Sequence, residues 1–316
     1  MAEAHFTANQ MPTATTVMPT ATAPTPQVPL VNLEYLWFQV AGTVCNLRCT
    51  HCFISCAPDN HRFWFLDLDT VRDYLAQSKT WGVREYYFTG GEPFMNRDLL
   101  AMLEATLAIG PASVLTNATL MPDRTVRRLA EIDAETPYSL ELRVSLDGPS
   151  RETNDPVRGA GTFDRAMSGI GRLVKSGFLP IVTAAQIWDP TEHERIYQQF
   201  VDALRKVGYE RPRIKILPCL HIGRESQRSR GYSDSEVVTS AMMCGYDVTQ
   251  LLCSSGRIVT DRGIFVCPIL IDAPDARLGS TLEAADRPFA LSHRACYTCW
   301  ANGAICTNYA GIGRER

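Results

Sequence analysis

The stretch Cys45-Asn46-Leu47-Arg48-Cys49-Thr50-His51-Cys52 sets three thiols at a three-residue gap and then a two-residue gap. That spacing is too tight for one rigid helix face and fits a loop wrapped around a compact inorganic centre. Short gaps between cysteines are the pattern of iron–sulfur ligation. Three ligands on a four-iron cube leave one iron open, and an open iron binds a small molecule. Such a centre does chemistry as well as carrying electrons. Two other readings compete. A structural zinc site needs a fourth ligand, for which Cys56 or His51 is available. A disulfide scaffold belongs to short secreted chains.

A second set of cysteines lies far downstream. Cys253 and Cys267 bracket Arg257-Ile258-Val259-Thr260, Asp261-Arg262-Gly263 and Ile264-Phe265-Val266, which reads as a hairpin with a glycine turn. Cys296-Tyr297-Thr298-Cys299 then returns a close pair. Together these make a four-thiolate site, and zinc satisfies its spacing as well as iron does. Cys56, Cys219, Cys244 and Cys306 are left over, and a spare cysteine is more often packed than reactive.

These residues need elements to position them. Leu36–Val44 reads as a buried strand that delivers the chain into the first cysteine loop. Helical spacing covers 66–80, and Glu85–Thr89 is a second strand running into Gly90-Gly91-Glu92-Pro93. Asn96 caps a helix over 97–107, Ala112–Thr116 is a third strand, and a helix follows over 123–132. The fourth strand, Leu140–Leu146, ends in Ser145-Leu146-Asp147-Gly148, and a loop through Asn154-Asp155-Pro156-Val157-Arg158-Gly159 follows. A helix over 163–175, a strand over 180–188, a helix over 192–207 and a strand over 213–217 complete six strand–helix alternations, except that the last strand leads out of the repeat. Alternation of this kind predicts a parallel α/β sheet with ligand sites beyond the strands' C-terminal ends. The cysteine loop, Gly90-Gly91, Thr116-Asn117, and Arg143 to Asp147 all fall there. Polar residues at strand ends also serve capping and turns, so the position alone does not decide their role.

The cysteine loop followed by Gly90-Gly91-Glu92-Pro93 and by Ser145-Leu146-Asp147-Gly148 resembles the radical S-adenosylmethionine (SAM) superfamily. The resemblance spans residues 37–219. It implies a partial (β/α)6 TIM-like barrel with a [4Fe–4S] cluster on Cys45, Cys49 and Cys52, whose open iron chelates SAM. His51 then stands where the family carries an aromatic residue before the last cysteine. Gly90, Gly91, Glu92 and Pro93 are similar to the motif that grips the methionyl amino group. Ser145 matches a SAM ribose or carboxylate contact, and Thr116, Asn117, Arg143 and Asp147 join the cofactor-binding set. The downstream cysteines resemble a small cysteine-rich "twitch" extension of hairpin and helix. In it Cys253, Cys267, Cys296 and Cys299 would hold an auxiliary [4Fe–4S] cluster. The resulting division is a Pro/Thr/Ala-rich disordered tail over 1–33, a barrel over 34–219, and a linker with the twitch-type domain over 220–316.

By the same resemblance the bound SAM yields a 5′-deoxyadenosyl radical that takes hydrogen from an unactivated C–H bond. The substrate is expected to be small and carbohydrate-like, of the aminoglycoside or aminocyclitol kind. Epimerisation by hydrogen return from a cysteine is the favoured outcome. Cys244 is the first donor candidate and Cys306 the second. Two-electron dehydrogenation of an alcohol through the auxiliary cluster is the alternative, and peptide maturation is a third outcome. A cysteine-rich metal-binding or redox-sensing protein is the non-enzymatic alternative. The partner expected is a one-electron donor such as flavodoxin or ferredoxin.

The bulk numbers fit this reading. The chain has 316 residues, 45% apolar, with net charge −3. That balance carries no footprint for nucleic acid or an anionic membrane. No apolar stretch reaches the roughly 18 residues a spanning helix needs. The start has no basic n-region or apolar core, so the eleven cysteines read as reduced, cofactor-bound and cytoplasmic.

Overall fold

The computed structural model describes residues 24–303 and 305–306. Its strands are β1 (Gln27–Val28), β2 (Tyr35–Phe38), β3 (Glu85–Phe88), β4 (Ala112–Thr116), β5 (Leu140–Ser145), β6 (Ile181–Ala185), β7 (Arg213–Leu217), β8 (Gly256–Thr260), β9 (Gly263–Phe265), β10 (Arg277–Gly279) and β11 (Phe289–Ala290). Its helices are α1 (Leu68–Ser78), α2 (Leu99–Leu107), α3 (Asp123–Ala134), α4 (Arg151–Arg158), α5 (Thr162–Lys175), α6 (His193–Arg205), α7 (Glu225–Arg228), α8 (Ser240–Met243) and α9 (Ala295–Asn302).

β2 to β7 lie side by side in chain order, all parallel, with helices returning between them. This is the parallel α/β sheet that the alternation predicts. Each strand is apolar on the face turned to the helices, where Leu36, Phe38, Phe88, Val114, Leu142, Val144 and Val182 are buried. The helices answer with one apolar stripe each. In α3 it is Val126, Leu129 and Ile132; in α5 it is Ala166, Ile170 and Leu173 among others. The alternate strand positions carry polar and aromatic groups and face the opposite side, where the site is built.

The downstream hairpin adds to the same sheet. β8 pairs in parallel with β2, with Tyr35 opposite Gly256, and β9 and β10 follow antiparallel, giving a nine-stranded sheet. The register has a consequence for the two cysteine sets. Cys45 follows the C-terminal end of β2. Cys253 precedes β8, and Cys267 follows the antiparallel β9, so both lie toward the opposite end of the sheet.

Three sequence expectations are corrected here. Residues 24–33, assigned to the disordered tail, are ordered. β1 pairs with β11, Val31 N–H donates to Ser254 O at 2.7 Å, and Val28 and Leu33 are buried. Two apolar side chains in a Pro-rich stretch anchor it, which composition does not reveal; the rest of the tail, residues 1–23, lies outside the described residues. The segment after β5, expected as a loop, is helix α4. Its Ser150 and Thr153 form a reciprocal capping box ahead of Pro156. Asn96 does not cap α2, which starts after Asp98. Its amide instead donates to Val40 O and Leu66 O, both at 2.8 Å, tying β2's end to α1's start.

Candidate active site

Cys45, Cys49 and Cys52 share the wall of one cavity of about 270 Å³ with Gly90, Gly91, Thr116, Asn117, Arg143, Ser145, Asp147 and His51. The cavity lies on the polar face of β2 to β7, at and below their C-terminal ends. The structure therefore brings most of the sequence-selected residues into one place.

The cysteine loop is seated by close backbone packing. A Cβ on Gly91 would stand 2.0 Å from Val44 O and 2.8 Å from Cys45 Cβ, so only glycine fits against the loop. Glu92 N–H donates to Val44 O at 3.2 Å. Asn117 Nδ2 donates to Asn46 Oδ1 at 2.9 Å. Burial pushes the Cys45 thiol up to about 12 and raises Cys49 as well, with Arg158 and Arg224 working against the rise at Cys49. The hydrogen bond from Cys56 instead lowers Cys52, to about 6.

Glu92 and Pro93 do not reach the cavity wall. Pro93 is buried and starts a one-turn helix over Pro93–Met95. Glu92 is fully buried and turned inward. Its Oε1 accepts from Thr116 Oγ1 at 2.7 Å and Phe94 N at 3.1 Å, and its Oε2 accepts from Asn117 N at 2.8 Å. Burial raises its pKa to about 6 against these donors. The carboxylate is thus a brace between the β3 and β4 ends, a correction to the cofactor contact expected of it.

Asp147 anchors the opposite rim. Its Oδ2 lies 2.7 Å from His51 Nε2 and 2.5 Å from Arg158 Nε, and its Oδ1 accepts from Ala185 N at 2.7 Å. Burial works to raise its pKa, but the Arg158 guanidinium and His51 overcome it and hold the carboxyl well below the usual range. Arg158 itself lines the cavity, and it escaped the sequence reading because its helix was read as a loop.

Cys253, Cys267, Cys296 and Cys299 share the wall of a second, small apolar cavity with Leu251, Leu252, Val266, Ile269, Leu270, Phe289, Leu291 and Ala295. Burial pushes Cys253 up to about 12 and raises the other three. Arg257 is buried beside them and donates to Cys253 O at 2.7 Å.

The spare cysteines separate. Cys244 ends α8 on the exposed surface and lines neither cavity, which removes it from the donor position expected of it. A hydrogen donor has to touch its substrate, and α8 lies outside the strand-end loops. Cys306, Cys219 and Cys56 do line the first cavity. Cys306 is also near the second set: charge on Cys267 raises it, and its own charge raises Cys299. Arg143 Nη1 donates to Cys306 O at 2.9 Å, and burial pushes this thiol up to about 12. Lys215, Thr183 and Gln39 also line the first cavity. No local motif marks them; only their inward strand register does.

The donor set fits an iron–sulfur centre. Thiolates are its ligands, and Cys45, Cys49 and Cys52 share one cavity wall. Among the described residues no three His, Cys, Asp or Glu groups converge tightly enough for a single metal ion. No helix among them is long and apolar enough to cross a membrane.

Comparison with known proteins agrees. A GTP 3′,8-cyclase of Mannheimia succiniciproducens is 29% identical over 150 residues, which are 46% of this chain and 43% of that protein. The mycofactocin maturase MftC of Mycolicibacterium smegmatis is 30% identical over 135 residues, 42% of this chain and 33% of that protein. The chain thus matches less than half the length of these relatives. Among solved structures, SuiB of Streptococcus suis bound to precursor peptide SuiA superposes with a TM-score of 0.61 at 16% identity, covering 79% of this chain and 63% of that one. AnSMEcpe with bound AdoMet superposes at 0.56 and 14% identity, covering 79% of each. Both likenesses are of fold. The model of the radical SAM superfamily matches residues 40–204, more than half of the chain. The chain belongs to the radical SAM superfamily, and with that family come a [4Fe–4S] cluster and SAM as its cofactors.

Proposed function

We propose that this radical SAM enzyme inverts a carbon centre of a small carbohydrate-like molecule of the aminocyclitol kind. Cys45, Cys49 and Cys52 hold the SAM-binding cluster, and Cys253, Cys267, Cys296 and Cys299 hold an auxiliary cluster of the twitch type. Bound together, cluster and SAM would supply the radical chemistry that takes one hydrogen atom from a substrate C–H bond.

The observation that carries the reading is a thiol below the rim. Cys306 is held by Arg143, which lies two residues before the end of β5 and also bonds Glu141 Oε1 at 3.3 Å, farther from the rim. A substrate between the rim thiols and Cys306 presents a different face to each. Its carbon radical takes the hydrogen of the Cys306 S–H bond; the resulting thiyl takes one electron from a carrier such as flavodoxin or ferredoxin and one proton from solvent. Gln39, Thr89, Asn117, Ser145 and Thr183 line the cavity with neutral hydrogen-bonding groups suited to hydroxyls. A cytoplasmic setting keeps the thiols reduced.

A second reading is dehydrogenation of an alcohol, favoured by the nearness of Cys306 to the four-thiol cavity. The relatives' substrates, GTP or a peptide, are further outcomes. The deciding experiment is anaerobic turnover of a 2-deoxystreptamine glycoside in deuterium oxide. Inverted product carrying one solvent deuterium supports epimerisation. A ketone without deuterium supports dehydrogenation. SAM cleavage with the glycoside unchanged overturns the carbohydrate reading. About eight irons per chain, falling to about four without Cys45, Cys49 and Cys52, supports two clusters.

A further inference from the structure

The loop that leaves β7 does not pass over the cavity freely. It lands on the first cysteine loop and is tied there by one residue. Arg224 N–H donates to Cys52 O at 3.1 Å. Its Nε donates to Cys49 O at 2.8 Å and its Nη1 to Ser55 O at 3.0 Å, while Nη2 donates to Cys56 O. Four donors of one residue therefore hold four carbonyls of the segment that carries Cys49 and Cys52. The preceding residue is shaped for the approach. Gly223 has a φ of +60°, and a Cβ there would stand 2.2 Å from Phe53 O and 2.8 Å from Cys52 O. The next residue, Glu225, is buried on the cavity wall and bonds Arg228 at 2.7 and 2.8 Å.

Carbonyls turned toward one guanidinium cannot turn toward the thiols' centre. The segment of Ser55, whose φ of 55° is left-handed for a non-glycine residue, is held in that shape by the same fork. A planar guanidinium with its donors in fixed directions does this, and an ammonium does not. The positive charge also stands beside a centre that takes up an electron, and charge and hydrogen bonding near a cluster set its potential.

We infer that Arg224 is a positioning residue for the iron–sulfur loop: its fork fixes the Cys49–Cys56 backbone around the cluster, and its charge raises the cluster's reduction potential. The inference rests on Cys45, Cys49 and Cys52 being the ligands, but not on any substrate.

The test uses the full chain reconstituted anaerobically, with Arg224→Gln and Arg224→Lys beside the parent. Two quantities are read: the rate at which iron passes to a chelator, and the midpoint potential of the SAM-binding cluster by electron paramagnetic resonance. Arg224→Gln is expected to lose the first four irons at least fivefold faster and to shift the potential negative. Arg224→Lys keeps the charge without the fork, so it is expected to keep the potential and still lose iron faster. The downstream cluster serves as internal control and should release its iron at the parental rate in both. Parental iron loss and potential in both variants would overturn the inference, and so would equal acceleration at both clusters, which marks a general loss of stability. Should Arg224→Gln fail to fold, Arg224→Lys and Gly223→Ala decide the positioning claim. A triple variant lacking Cys45, Cys49 and Cys52 that keeps all its iron would instead overturn the ligand assignment.

Discussion

The Nε2 atom of His51, one residue before the last cysteine of the loop, lies 2.7 Å from Oδ2 of Asp147 beyond the end of β5. The two side chains are 12% and 1% exposed, and Asp147 is shared with Arg158 at 2.5 Å. One buried carboxylate thus joins the cysteine loop, the fourth barrel strand and the helix after it. Because β2 and β5 are separated by two strands, this tie spans the cavity instead of running along its wall.

Removing that carboxylate leaves the buried Arg158 guanidinium uncompensated. Asp147→Ala is expected to cost about 3–5 kcal/mol of stability, the usual penalty for breaking a buried pair from one side. Urea unfolding at pH 7.5 measures it. Asp147→Asn with Arg158→Met, which removes both charges, should recover much of the loss. A double variant as unstable as Asp147→Ala would show that the charge pairing is not what matters.

Glu92 gives a pH dependence of opposite sign to an ordinary paired carboxylate. Burial raises it from 4.5 to about 6 in the fold. Between those values the folded state binds more protons than the unfolded, so stability falls as pH rises through the window. The full effect, reached above about pH 6, is about 2 kcal/mol. Thermal unfolding of the metal-free chain between pH 4.5 and 7 reads the slope. It should disappear in Glu92→Gln; an unchanged slope would assign it to another group.

Gly91→Ala forces a methyl group against Val44 O, 2.0 Å from its ideal position. Backbone on both sides has to move, and the loop bearing Cys45 moves with it. The variant is expected to fold, since Gly91 is at the cavity and not in the apolar core, but to retain less than half of the iron of the first set. Iron analysis beside circular dichroism tests this, and full iron retention would show the loop to be more pliant than its packing.

The two donor candidates of the sequence now differ in expected outcome. Cys244→Ala should match the parent in iron content and product, because Cys244 is exposed and lines neither cavity. Cys306→Ala should keep its iron and still cleave SAM but form less than 1% of the parental product. Iron loss in Cys306→Ala would make Cys306 a ligand. Unchanged product would remove it from the reaction.

Much of the site was legible because it is local. The loop Cys45–Cys52 carries its spacing in eight consecutive residues, and Gly90-Gly91 follows its strand directly. The apolar–polar alternation of Leu140–Ser145 announces a strand buried on one face. Arg158 was not legible, because polar Asn154-Asp155-Pro156 looks like a turn until Ser150 and Thr153 cap it as a helix. Val28 and Leu33 were hidden in a stretch whose proline content suggests disorder.

Other roles follow from distance in the chain. Arg224 meets Cys49, Cys52, Ser55 and Cys56 across more than 165 positions, and Cys306 meets Arg143 across 163. By itself the sequence determined the strand–helix alternation, the two cysteine sets and the strand ends where chemistry gathers. Each of these is set by neighbours a few residues apart, through side-chain period and backbone freedom. Only the tertiary structure decided that Glu92 is a brace, that Cys244 lies outside, that Cys306 lines the first cavity near the second thiol set, and that Arg224 clamps the loop. Those depend on the parallel pairing of β2 with β8 and on the path of the chain after β7, and contacts of that range leave no period in the sequence to read.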